Sequence, residues 1–184
     1  MLVTKPYLRE RAVTYARKWA LSRNPLFVDY TGRGGNCTNF VSQCLYAGSC
    51  TMNFTPIYGW YYLTESERTA SWTGVQFLFN FLINNTGSGP YGVQVGIDEA
   101  VPGDVIQLYR EDQGWYHTML IVGFNEDGVP LIAAQSDDAL DRPLDTYTYD
   151  RERFIHILGV RLTVPDTGDC YDSLLNGVAI IPND

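Results

Sequence analysis

Residues 34–48 read GGNCTNFVSQCLYAG, and the reading of this stretch decides the fold. Gly34 and Gly35 permit a tight turn and a close approach of another backbone. Val41, Cys44 and Leu45 then recur at the spacing of one helical face, so a helix is expected to open at Cys37, with Gly48 suited to its C-terminal stop. Backbone N–H groups at a helix N-terminus carry partial positive charge and favour a thiolate over a thiol. Cys37 is therefore a candidate nucleophile. Cys44 lies two turns deeper on the same face and reads as core.

Outward from this stretch, the chain divides into a helical half and a strand half. Ala12, Ala16, Trp19 and Ala20 recur at helical spacing within YLRERAVTYARKWALS, which Asn24-Pro25 ends. Residues 51–70 are aromatic and irregular, with Tyr58, Trp60, Tyr61 and Tyr62 close together. A third helix fits Thr73 to Asn84, apolar on most sides and so expected to be buried. Beyond it come strand signals: Val105 to Tyr109 after the turn Pro102-Gly103-Asp104, His117 to Phe124 and Val129 to Gln135 around the hairpin turn Asn125 to Gly128, and Phe154 to Leu162. Val178 to Ile181 could add an edge strand. Helices followed by an antiparallel sheet make the expected class α+β, in one domain spanning residues 1–184.

Composition narrows the function. The chain of 184 residues holds 13 Lys and Arg against 21 Asp and Glu, a net charge of −8. That balance argues against a nucleic-acid partner, which needs a basic stripe, and against docking on an anionic membrane. No run approaches the roughly 20 apolar residues of a membrane span. The opening residues MLVTKPYLRE are not a secretory signal, so the expected location of the chain as given is the cytoplasm, with a domain of a secreted protein left open. Four cysteines (37, 44, 50 and 170) without a CxxC pair, and only two histidines, make a zinc site or a disulfide framework unexpected.

A cysteine nucleophile needs a base, and His117 at the head of an apolar strand is the candidate. His156, inside Ile155-His156-Ile157, reads as a structural or solvent-facing strand residue. A third group should fix the imidazole tautomer. If the paired residue numbers of the hairpin sum to 252, Gln135 faces His117; if they sum to 253, Ser136 does. Gln135 could accept the ring N–H but brings no charge, whereas Asp137 or Asp138 could supply one. Alternation along Leu131, Ala133 and Gln135 favours Gln135.

The string Gly35-Asn36-Cys37-Thr38-Asn39-Phe40-Val41-Ser42-Gln43-Cys44-Leu45 resembles the signature of the putative amidase domain family, which is related to the papain-like NlpC/P60 and CHAP cysteine peptidases. ARKWALSRNP, MNFTPIYGWYY, WTGVQFLFNFL, PGDVIQL and YHTMLIVG match in the same order, from about Ala16 to Leu144. Residues after about Pro165 fall outside it, as an edge or tail. The resemblance implies a papain-like fold, Cys37 as nucleophile and His117 as base. Family members often carry His at the position of Gln135.

These readings together predict hydrolysis of an amide or peptide bond by Cys37, with His117 moving the proton, Gln135 aligning the ring, and no cofactor or metal. The resemblance favours a peptidoglycan stem peptide as substrate; a cytoplasmic peptide or amide is equally open. Two rivals are a binding module that grips a ligand with residues 58–62 and leaves the Cys–His pair unused, and an acyltransferase built on the same thioester chemistry. Oligomeric state is not legible.

Overall fold

The computed structural model describes residues 1–163 and 168–182. The strand half forms a seven-stranded sheet from β1 (Val3–Lys5), β2 (Gly89–Val95), β3 (Val105–Arg110), β4 (Gly114–Phe124), β5 (Pro130–Ala134), β6 (Ala139–Pro143) and β7 (Arg151–Leu162). The order is β1-β7-β3-β4-β5-β6, with β2 also on β7, and each described pairing is antiparallel. The helices are α1 (Arg9–Trp19), α2 (Cys37–Ser49), α3 (Ala70–Thr73), α4 (Val75–Asn84) and α5 (Tyr171–Leu175). The class is α+β, as expected. Short β1, β2 and β6 carry weak periodicity and were not legible beforehand, whereas the residues 178–181 form no strand.

Period-2 alternation builds two cores, one on each face of the sheet. Val105, Leu120, Val122, Ala133 and Ile155 face the helices, while Ile106, Met119, Ile121, Ile132 and Phe154 form a second cluster. The helix α2 is the hub of the first core. All of its residues from Cys37 to Ser49 are buried, not only the Val41–Cys44–Leu45 face. Its polar side chains are therefore all paired inside the protein, as burial requires. Asn39 Oδ1 accepts from the Trp72 indole, Ser42 Oγ from the Trp60 indole, and Gln43 Oε1 from the Tyr15 hydroxyl, at 2.9, 3.1 and 2.7 Å. The irregular aromatic segment thus folds over α2.

Two helix ends differ from expectation. Gly48 does not end α2; Cys50 does, in the left-handed conformation at φ 46°. The role of Gly48 is close approach, since a Cβ there would lie 2.4 Å from the Tyr7 ring. The expected third helix begins at Val75, after an extended Gly74, and leaves Phe77 and Ile83 exposed. A larger difference concerns the cysteines: Cys50 and Cys170 form a disulfide across 120 residues. Four cysteines at irregular spacing give no sign of that pair, because both partners are brought together by α5 packing Cys170 and Leu174 into the helix-side core. The sequence boundary at Pro165 lies outside the described residues, but residues 170–175 are an integral part of the packing.

Candidate active site

The turn ahead of α2 needs its glycines: Gly34 and Gly35 sit at φ 101° and 102°, a region that strains any residue with a Cβ. Asn36 follows as the helix N-cap, but its side chain makes no capping bond. Its Oδ1 instead accepts from the Tyr30 N–H and the Asn39 amide, at 3.0 and 2.9 Å. The first N–H groups of α2 are left for other uses. Cys37, 7% exposed, turns its sulfur toward them and toward the backbone N–H of Thr118 on β4. Below it, Thr38 Oγ1 lies 2.8 Å from Thr118 Oγ1, which accepts from Gln107 Nε2, and Gln107 Oε1 accepts from Arg153. This buried polar chain ties the turn that carries Cys37 to β3, β4 and β7. Sequence reading missed it, because Thr and Gln at strand positions carry no pattern.

His117 is the residue next to Thr118, and it and Cys37 line one cleft of about 390 Å³ with Gly34, Gly35, Ser136 and Asp137 on one side. Its imidazole is 7% exposed, with the Tyr147 ring 6.0 Å away. Among the described residues neither ring nitrogen is hydrogen-bonded. Burial lowers its pKa from 6.5 to about 4, against an upward pull from Asp137 that the nearby Arg142 and Arg110 charges counter. Burial likewise raises the Cys37 thiol, although the Thr118 and helix N–H groups pull it down. Burial thus works against the pull of the helix start on the Cys37 thiol, and at neutral pH it favours the neutral form of each group in the shared cleft.

The depressed His117 value has a consequence for stability. An unfolded imidazole binds its proton near pH 6.5 and the folded one only near pH 4, so this contribution is complete above 6.5 and is lost as pH falls toward 4. At about 1.4 kcal/mol per unit the loss approaches roughly 3 kcal/mol. Urea unfolding of wild type and His117→Gln at pH 7 and pH 4.5 is expected to show a smaller pH dependence in the variant. Equal dependence in both proteins would contradict the burial argument.

Gln135 does not align the ring. Its amide donates to the carbonyls of Trp19 and Ser22, at 2.7 and 2.8 Å, and its Oε1 accepts from the Asn36 side chain. The reason is register. Next to the turn, Phe124 pairs with Pro130, a sum of 254; an irregularity between Ile121 and Gly123 then brings the sum to 253, with Ile121 opposite Ile132 and Leu120 opposite Ala133. On that frame Gln135 shares a face with Thr118 and Ala133, toward the helices, while His117 shares the opposite face with Ser136, Met119 and Ile121. The alternation Leu131-Ala133-Gln135 was right; the face was not. Ser136 Oγ accepts from the Asn36 N–H. Gln135 and Ser136 thus hold Asn36, the residue before Cys37. Gln135→Ala is expected to cost about 2–3 kcal/mol of stability through the polar groups it orphans. Any turnover that depends on Cys37 should fall roughly tenfold, a barrier change of about 1.4 kcal/mol. The pH–rate profile should stay in place, because no contact to His117 is lost; a shifted profile would restore the orienting role.

Asp138 is taken by Arg23, with bonds of 2.9 and 3.0 Å, and faces away from the imidazole's environment, whereas Asp137 lines the cleft. His156 is structural: its Nδ1 lies 2.8 Å from Asp104 Oδ2, on the fully buried carboxylate that also pairs with Arg9. Among residues 58–62, Trp60 and Tyr62 are core, whereas the 83% exposed Tyr58, with Gly59, lines a second cavity of about 690 Å³ shared with Ile57, Phe77 and Asn80. The described residues hold no cluster of metal-ligating side chains and no helix long and apolar enough to cross a membrane.

Fold and cleft define an α+β protein in which a buried helix and an antiparallel sheet bring a cysteine thiol and an imidazole to one cavity. The chain belongs to the putative amidase domain family, whose model matches residues 6–158. It is also similar to an uncharacterized protein, YhbB, of Bacillus subtilis (strain 168): 36% identical over 136 residues, or 72% of this chain. The aligned region spans 42% of that relative's length. No solved structure matches the chain significantly.

Proposed function

We propose that this protein is a cysteine-type amidase or peptidase, on a papain-like scaffold related to the NlpC/P60 and CHAP enzymes, with Cys37 as nucleophile and His117 as base. The observation that supports it most directly is the shared cleft: Cys37 opens a buried helix and His117 lies on the strand whose next N–H holds the sulfur. Because the pair rests neutral, proton transfer accompanies attack. The sulfur bonds to the substrate carbonyl carbon as the thiol proton passes to His117. The carbonyl oxygen gains charge, which the uncapped N–H groups of α2 are placed to stabilise. His117 then returns the proton to the leaving nitrogen as the C–N bond breaks, giving a thioester and an amine. Water, deprotonated by His117, hydrolyses the thioester and regenerates the thiol. Asp137 supplies the negative charge that favours the transient imidazolium.

The disulfide supports a substrate outside the reducing cytoplasm, since such bonds persist in oxidising compartments. The peptidoglycan stem peptide is then the favoured substrate class. The test is incubation with isolated stem peptides and short peptide amides, followed by mass analysis. A free carboxylate and a free amine in equal amounts are expected, lost in Cys37→Ala. Products joined to an added amine would instead establish acyl transfer, and no product with any peptide would remove the reading.

A further inference from the structure

The same cleft is also lined by Arg110, Tyr116, Arg142, Thr146, Tyr147 and Thr148. Both guanidinium groups are held from behind. Arg110 donates from Nε and Nη2 to the Thr148 carbonyl, at 3.2 and 3.0 Å, and lies over the Tyr116 ring at 4.7 Å. Arg142 donates from Nε to Thr146 Oγ1 and from Nη2 to the Thr146 carbonyl, at 2.8 and 3.1 Å, and lies over the Tyr147 ring at 3.7 Å. Arg142 also lies within hydrogen-bonding reach of the Tyr147 hydroxyl, and Arg110 Nη1 has no hydrogen-bond partner among the described residues.

Arg9, Arg11, Arg17, Arg23 and Arg33 each have a carboxylate partner, whereas Arg110 and Arg142, like Arg68, Arg151, Arg153 and Arg161, have none among the described residues; what sets Arg110 and Arg142 apart is that they line the cleft of Cys37. With Asp137 as the cleft's other ionised group, the lining carries a net positive charge in a chain of net charge −8. A planar guanidinium, fixed by stacking and by bonds to its rear nitrogens, loses little entropy when it meets a carboxylate.

We infer that Arg110 and Arg142 form a carboxylate subsite, so that the substrate carries a carboxylate close to the amide bond Cys37 attacks. This deepens the proposed function and rests on its reading of Cys37. A substrate carboxylate could be an acidic side chain or a free chain terminus; the shared chemistry is an anionic planar group presented to two forks.

The test uses Cys37 itself. Iodoacetate and iodoacetamide alkylate a thiol by the same step: sulfur bonds to the methylene carbon, iodide leaves, and the thiol proton goes to His117 or water. They differ in a carboxylate against an amide. Relative to glutathione, the rate ratio of iodoacetate to iodoacetamide at Cys37 is expected to be raised about tenfold, the effect of one well-placed charge pair. It should fall to the glutathione ratio in the folded double variant Arg110→Gln/Arg142→Gln, and toward it in high salt. If both reagents modify Cys37 with the glutathione ratio, the subsite is overturned and the nucleophile reading stands.

If neither reagent modifies Cys37, the nucleophile reading fails, and NMR titration decides the subsite separately. The ligands are N-acetyl-glutamate α-amide, with a side-chain carboxylate only, N-acetyl-glutamine, with a terminal carboxylate only, and N-acetyl-glutamine amide, with neither. Shifts of the Arg110 and Arg142 Nε signals with one or both acids, but not with the neutral amide, support the subsite and identify the carboxylate's source. Shifts with none, or equally with all three, overturn it.

Discussion

Cys37→Ala is expected to lower amide hydrolysis by at least about a thousandfold, since a nucleophile acts as a unit with its base and little is left without it. The fold should survive, because the change removes one sulfur from a site at the edge of the core, open to the cleft. Cys44→Ala provides the contrast. Cys44 is fully buried on the same helix and touches no cleft residue's chemistry, so the variant should lose about 1 kcal/mol of stability and keep its rate within a few-fold. Hydrolysis kinetics, with circular dichroism as the folding check, separate the two. A folded Cys37→Ala with wild-type turnover, or a folded Cys44→Ala without activity, would assign the chemistry elsewhere.

Loss of the disulfide should have the largest effect on stability. It closes a loop of 120 residues, for which the loss of chain entropy in the unfolded state predicts about 5 kcal/mol. Cys50 caps the C-terminus of α2 and Cys170 the N-terminus of α5. The bond therefore anchors a segment that also bonds Trp19 to the Leu175 carbonyl and Tyr46 to the Ile181 carbonyl, at 3.0 and 2.5 Å. Cys50→Ala, Cys170→Ala and reduced wild type should show the same lowered urea midpoint, while the oxidised wild type stands above all three. Turnover below that midpoint should be little changed, because α2 separates the disulfide from Cys37 by about 20 Å at 1.5 Å per residue. Equal midpoints with and without reductant would show that the bond contributes nothing.

The contrast between the two cysteine pairs bears on what a sequence carries. Cys37 was legible because a helix start is a local event: glycines, a cap position and a periodic face all lie within fifteen residues. Cys50 and Cys170 were not, because their proximity exists only after α5 has packed on α2. The same distinction separates His117 from Gln135. A histidine at the head of an apolar strand announces itself. The partner of its ring depends on cross-strand register, and one irregularity near Val122 changes the sum of paired positions and turns Gln135 toward the helices.

What the sequence determined by itself is the α+β order, the helix that opens at Cys37, the hairpin at residues 125–128 and the candidacy of Cys37 and His117. Each follows from backbone preference and apolar period, interactions between residues near one another along the chain. The tertiary structure alone decided that α2 is buried on every side, that burial favours the neutral forms of the Cys37 thiol and the His117 imidazole, that Gln135 and Ser136 hold Asn36, and that two arginines line the same cleft as the thiol. These depend on desolvation and on contacts between residues about a hundred positions apart, such as Asn36 with Gln135, and a linear pattern does not encode the solvent that folding removes.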